Sequence, residues 1–263
     1  MCPPPTDAAA PLLDLAGVTV RFGGIHALTE ADFVVRPDTI AALIGPNGAG
    51  KTTMLNAITG LVPVTAGSIT LAGRDITQLP PHRRAAAGVV RTFQNLEVFT
   101  SLSVLENVMA GRHILTHYGP LASLLHTPGF RRAERECRER ALEKLDFVGL
   151  ADERDTPAGD LPYGRQRLLE LARALAAEPK LLLLDEPAAG LNTRETAVLG
   201  RCIRAIRDRL HVAVGLVEHD MDLVMGVSDM VTVLNFGHPL ASGTPEQVQA
   251  DPEVVRAYLG EED

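Results

Sequence analysis

The chain has 263 residues, enough for one large α/β domain or a domain with a smaller appendage. Its formal net charge of −8 argues against a general nucleic-acid or anionic-lipid binder, whose footprint would be basic. Three widely separated cysteines, Cys2, Cys137 and Cys202, suit reduced thiols in a cytoplasmic protein better than a disulfide framework.

The start, Met1-Cys2-Pro3-Pro4-Pro5-Thr6-Asp7, has no basic region followed by an apolar one, so no secretory signal is expected and residues 1–11 read as a loose tail. Leu13 to Phe22 alternates, with Val18, Val20 and Phe22 on one side and Thr19 and Arg21 on the other. A second strand pattern runs through Phe33-Val34-Val35. The two predict an antiparallel edge leading into the apolar run Thr39-Ile40-Ala41-Ala42-Leu43-Ile44.

That run enters Gly45-Pro46-Asn47-Gly48-Ala49-Gly50-Lys51-Thr52-Thr53, which opens a helical pattern ending at Gly60. Strand, glycine-rich loop and helix in this order read as a P-loop. Its glycines adopt backbone angles closed to other residues, so successive N–H groups turn inward on phosphate oxygens where the helix dipole already favours negative charge. Lys51 would reach the β- and γ-phosphates and the Thr52 hydroxyl would bind Mg²⁺. A purely structural turn needs neither residue directly after its last glycine. With a nucleotide expected, Phe22 has two readings: a ring stacked on adenine, or the close of a half-buried strand, which periodicity favours.

Gly67 to Gly73 reads as a strand and turn, Pro80-Pro81 starts a short helix, and Gly88-Val89-Val90-Arg91-Thr92-Phe93 is a strand stopping at Gln94-Asn95. Alone, Gln94 reads as surface. From about Leu96 to Leu161 strand signals give way to helix signals, which marks an inserted helical region. Ser103 and Glu106 form a capping box for a helix running to Gly111. Arg131 to Arg140 is dense in alternating charge, a solvated helix face, and Leu142, Leu145 and Val148 supply its apolar side before Gly149. His113 and His117 stand i,i+4 with His126 beyond, but no cysteine or carboxylate at ligand spacing joins them, so no metal site is expected there.

Leu181-Leu182-Leu183-Leu184 is the continuous apolar run of a parallel strand covered on both faces. A helix from Asn192, a strand Val212 to Val217, a helix after Asp220 and a strand Met230 to Leu234 follow, the alternation of a doubly wound sheet. Thr244-Pro245-Glu246-Gln247 and Asp251-Pro252 each start a short C-terminal helix. No run reads as a credible membrane span.

The leucine run ends in Asp185-Glu186, and two carboxylates at the end of a buried strand are costly unless something requires them. Beside a phosphate cradle, Asp185 would hold Mg²⁺ and Glu186 would polarise the attacking water. His219 also follows a strand, at the sheet edge where such folds bind ligands; it is either structural or a γ-phosphate contact that orients water.

With Gly45 to Thr53, Gln94, Asp185-Glu186 and His219, the stretch Leu161-Pro162-Tyr163-Gly164-Arg165-Gln166-Arg167-Leu168-Leu169-Glu170 makes nearly the whole chain resemble the ATP-binding subunit of an ABC transporter. The resemblance implies an α/β fold: a P-loop NTPase core with a mainly parallel sheet flanked by helices, an antiparallel β edge and an inserted α-helical subdomain. Residues 12–95 and 162–243 would form the core, 96–161 the helical subdomain and 244–263 the C-terminal helices. It makes Gly45 to Thr53 the Walker A loop and Gln94 the Q-loop glutamine, which joins Thr52 and Asp185 around Mg²⁺. Leu181 to Glu186 becomes the Walker B strand and His219 the switch histidine. The signature Leu161 to Arg165, with Leu161, Tyr163, Gly164 and Arg165 as its nucleotide-facing residues, would complete the ATP site of a facing subunit, so a head-to-tail dimer is implied. The resemblance also turns the Phe22 reading towards adenine.

Two departures stand out. Pro162 and Tyr163 occupy the usual signature serine and glycine, which removes a hydroxyl contact to the γ-phosphate, and Asn192 stands where the family often has aspartate. Within the family, Arg91-Thr92-Phe93-Gln94-Asn95, Thr127-Pro128-Gly129-Phe130, Tyr163-Gly164, Pro187-Ala188-Ala189-Gly190-Leu191-Asn192 and Ala257-Tyr258-Leu259-Gly260 are similar to the ATP-binding subunits of branched-chain amino acid importers. That implies ATP and Mg²⁺ as cofactors, membrane-spanning permease subunits and, indirectly, a substrate-binding protein as partners, no nucleic acid, and a peripheral place on the cytoplasmic face of the inner membrane. Other cargoes, such as urea or exported lipopolysaccharide, and a soluble non-transport ATPase of the same family are the competing readings.

Overall fold

The computed structural model describes residues 10–92, 96–115 and 127–259. Gln94, His117 and His126 lie outside the described residues. Strands β1 (Leu13–Phe22), β2 (Ile25–Val35), β4 (Ala66–Leu71) and β5 (Arg74–Asp75) form a four-stranded antiparallel sheet in the order β2-β1-β4-β5. A second, six-stranded sheet runs β10 (His238–Gly243), β9 (Met230–Asn235), β3 (Ile40–Ile44), β8 (Ala213–Val217), β7 (Leu181–Asp185), β6 (Val89–Arg91). Its strands are parallel except β10, which returns antiparallel to β9.

The uninterrupted apolar strands are explained by burial on both faces. Ile40, Ala42 and Ile44 of β3, Leu182 and Leu184 of β7, and Val214 and Leu216 of β8 join one hydrophobic core. Ala41 and Leu43, Leu181 and Leu183, and Ala213 and Val217 point into another, shared with the antiparallel sheet and helix α1 (Lys51–Thr59). Period-2 side chains split each strand between the two cores, so no face is left for polar residues.

Helix α2 (Pro81–Ala87) has its proline in the first turn as expected, and α3 (Val104–Gly111) carries the Ser103–Glu106 capping box. Helix α4 (Pro128–Val148) starts at the Thr127 cap and buries Phe130, Cys137, Ala141, Leu145 and Val148, a single stripe at helical spacing. Its arginines and glutamates stay on the exposed side. Helices α3 and α4 pack against α5 (Tyr163–Ala176). Helices α6 (Thr193–Leu210), α7 (Met221–Val227), α8 (Pro245–Gln249) and α9 (Pro252–Leu259) complete the chain.

One feature departs from the sequence expectation and two add to it. The alternation of β1 is interrupted at Gly17, whose φ is 58°, and the register slips between Leu15 and Val18. The register slips again between Val18 and Val20, and Val18, Thr19 and Val20 are all buried, with the Thr19 hydroxyl accepting a bond from the Glu30 N–H at 3.1 Å. Strand β4 pairs with β1 and not with the parallel sheet. β5 and β10 are additional strands, too short or too polar to be legible alone.

Candidate nucleotide site

Four parallel strands deliver the site to one edge of the sheet, where ligands of such folds bind. β3 ends in the glycine loop, β7 in Asp185-Glu186, β8 between them in Glu218-His219, and β6 in Arg91. The loop frames a cavity of about 490 Å³, walled by residues 47–53, by Ile25, His26 and Ala27 of β2, and by Glu186 and Phe236.

The loop geometry depends on two glycines in particular. A Cβ on Gly45, whose φ is 151°, would lie 2.1 Å from the Leu234 carbonyl oxygen, and one on Gly50, at φ 104°, would lie 2.7 Å from that of Ala27. Gly50 is the N-cap of α1 and gives it no side-chain cap. The first turn of α1 therefore presents its N–H groups to the cavity, a ready anion site. The Lys51 ammonium donates to the carbonyls of Gly45 at 2.7 Å and Pro46 at 3.0 Å. Burial holds its pKa below the ordinary lysine value, and the neighbouring Glu186 and Asp185 carboxylates act in the opposite direction. Thr52 is exposed at the second position of the helix.

Asp185 is buried and its carboxylate accepts from the Arg91 guanidinium at 2.7 Å, while Arg91 also donates to Asn56 Oδ1 at 2.7 Å. Glu186 sits at φ 46°, a strained angle for a residue with a side chain, on the order of 1 kcal/mol. Its backbone N–H donates to the Val217 carbonyl at 2.8 Å, which locks the turn to β8. The exposed His219 ring brings Nδ1 to 3.9 Å from Glu186 Oε2.

Phe22, the last residue of β1, is half exposed opposite Ile25 and does not line the cavity; Phe236, in the β9–β10 turn, does. Periodicity could not single out Phe236, because it falls between two strands. Nor could it pair Arg91 with Asp185, although an arginine directly after Val89-Val90 in a strand signals a buried partner.

None of Leu161, Tyr163, Gly164 and Arg165 lines the cavity. Their helix α5 starts at exposed Pro162 with no side-chain cap. Leu161 is buried, and Arg165 pairs with Glu153 at 2.5 Å and donates to the Gly149 carbonyl at 3.0 Å. The Tyr163 hydroxyl donates to the Ala189 carbonyl at 3.2 Å and accepts from Arg167 at 2.9 Å. Tyr163 thus ties the start of α5 to the loop after Glu186 in the same chain. Asn192 caps α6 through a reciprocal box with Glu195, and a Cβ on Gly164 would meet Glu195 Oε1 at 2.6 Å.

A phosphate cradle whose lysine is already aimed by its own loop, with an acid in its wall and an imidazole 3.9 Å from that acid, sets the class: a P-loop ATPase. A family model described as ABC transporter matches residues 28–189, and one described as branched-chain amino acid ATP-binding cassette transporter matches residues 238–263. The high-affinity branched-chain amino acid transport ATP-binding protein BraF of Pseudomonas aeruginosa is 47% identical over 251 residues, covering 95% of this chain and 98% of its own length. The corresponding LivG protein of Escherichia coli is 46% identical with the same coverage. The crystal structure of an ATP-binding cassette of an ABC transporter in its ADP conformation superposes with a TM-score of 0.84 at 31% identity, over 96% of this chain and all of that one. The chain belongs to the ABC transporter family, as an ATP-binding subunit that hydrolyses ATP.

Proposed function

We propose that this subunit powers the import of branched-chain amino acids, working as a head-to-tail pair of ATP-binding subunits against membrane-spanning permease subunits fed by a substrate-binding protein. The observation that carries the reading is a separation within one chain. The cavity around Lys51 has Glu186 in its wall, with His219 3.9 Å from that acid, whereas the uncapped start of α5 at Pro162 and Tyr163 is exposed and takes no part in lining it. A second copy facing the first would bring its α5 N–H groups to the triphosphate. The cargo assignment rests on the full-length similarity to BraF and LivG and on the match over residues 238–263.

In this reading the phosphate oxygens replace the Gly45 and Pro46 carbonyls on Lys51, and the N–H groups of residues 47–53 hold the rest of the triphosphate. Glu186 polarises the attacking water, His219 orients it at the γ-phosphate, and Gln94 reports occupancy to the helical region 96–161. The oxygen donors Thr52 and Asp185 suit a hard cation, too few to bind it without phosphate and water, which is how Mg²⁺ is commonly held. Mg²⁺ would neutralise charge on the transferred phosphoryl group. Phe22 would stack on adenine. Leu161 and Arg165 serve by positioning α5, since both are engaged within their own chain.

No helix among the described residues is long and apolar enough to cross a membrane. In this reading the subunit sits peripherally on the cytoplasmic face of the inner membrane, held there by the permease subunits. The core 12–95 and 162–243, the helical region 96–161 and the C-terminal helices 244–263 are the functional divisions. The test is reconstitution with a permease pair and binding protein in vesicles: ATP-dependent uptake of leucine is expected. Uptake of urea in its place would reassign the cargo, and copurification with ribosomes or DNA would reject the transporter role.

A further inference from the structure

Among the described residues Glu218 is the most deeply buried acid, 1% exposed, and the ATP chemistry set out above does not use it. Burying a carboxylate is costly, so its bonds must be accounted for. Oε1 accepts from the Ala188 N–H at 2.7 Å, and Oε2 accepts from the N–H groups of His219 at 3.0 Å and Asp220 at 3.3 Å. Its side chain therefore spans two segments remote in sequence: the turn that begins at Glu186 and the turn that carries His219 into α7. The Glu186 N–H bond to Val217, the residue before Glu218, fixes the other end of the first turn. Asp220, whose carboxylate caps α7 at Leu223 with 3.0 Å, extends the second.

We propose that Glu218 is a positioning residue, a strut that holds the Glu186 turn and the His219 switch in one register, so that neither moves relative to the γ-phosphate without the other. The chemistry selects an acid for this. A threonine could accept for one segment only. A glutamine has one acceptor oxygen, and its NH₂ group would face a backbone N–H on the other side. The strained φ of Glu186, 46°, is a conformation that persists only where the surroundings over-determine it, and Glu218 supplies one of those constraints two residues on.

This rests on the roles proposed for Glu186 and His219, and a double-mutant cycle on the full chain separates the two. Glu218→Gln, His219→Ala and the double variant are compared for kcat at saturating ATP, nucleotide affinity and thermal unfolding. Glu218→Gln is expected to lower kcat about tenfold with ATP affinity within about twofold of the parent. In the His219→Ala background the same change is expected to cost less than about threefold more, because residues acting as one unit are not additive. Fully multiplicative losses, or an affinity loss that tracks kcat, overturn the strut. A His219→Ala variant with parental kcat overturns the histidine's role and the strut with it. If Glu218→Gln does not fold, Glu218→Asp keeps the charge but is one methylene too short to reach both segments. It is expected to show the same non-additivity with His219→Ala, and multiplicative behaviour again overturns the proposal.

Discussion

The Arg91 guanidinium and the Asp185 carboxylate meet at 2.7 Å with side chains only 5% and 6% exposed. The last residue of β6, just before the Gln94 segment, is thereby bound to the acid at the end of β7. Removing one partner of such a pair leaves a buried charge unpaired, which costs about 3–5 kcal/mol. Arg91→Met is expected to lower the midpoint of thermal unfolding by roughly 6–20 °C in a chain of this size. An unchanged midpoint would mean that the pair opens freely to solvent.

Glu186→Gln keeps the size of the side chain and removes the base. Nucleotide binding is expected to persist, turnover to fall by about 10²–10⁴-fold, and the chain to sediment as a dimer in ATP. A variant that stays monomeric in ATP and still hydrolyses it would refute the role assigned to Glu186.

Lys51→Ala removes a cation already oriented by the Gly45 and Pro46 carbonyls. A charge-assisted contact of about 1.5–3 kcal/mol corresponds to a loss of roughly 10- to 100-fold in ATP affinity. Titration with a fluorescent nucleotide reads it directly. Affinity unchanged within experimental scatter would place the triphosphate elsewhere.

For the base, Phe22 and Phe236 offer two exposed rings, 49% and 79% exposed. Phe22→Ala is expected to weaken ATP binding by about 2- to 10-fold, the worth of one aromatic stack, and to leave inorganic triphosphate binding unaffected. If Phe22→Ala is silent and Phe236→Ala carries the loss, adenine lies against the β9–β10 turn and Phe22 only closes its strand.

The glycine cradle, the caps and the apolar strands were legible because each is decided within a few residues. Gly50 must be small where α1 begins, Ser103 reaches Glu106 one turn away, and Leu181 to Leu184 can be wholly apolar only if both faces are covered. The order of the motifs then implied which strands end at the nucleotide. What the sequence could not specify were partners remote along the chain. The pairing of β4 with β1, the Arg91–Asp185 bridge and the span of Glu218 from Ala188 to His219 each join segments whose separation carries no periodic signal. Phe22 shows the same limit at short range: alternation places it on the buried side with Val18 and Val20, but the register slips between Val18 and Arg21 and the end of the sheet leave its ring half exposed. Local spacing fixes what a segment can be. Only closure of the fold, which brings distant groups within hydrogen-bond reach and takes them out of water, decides which of them must act together.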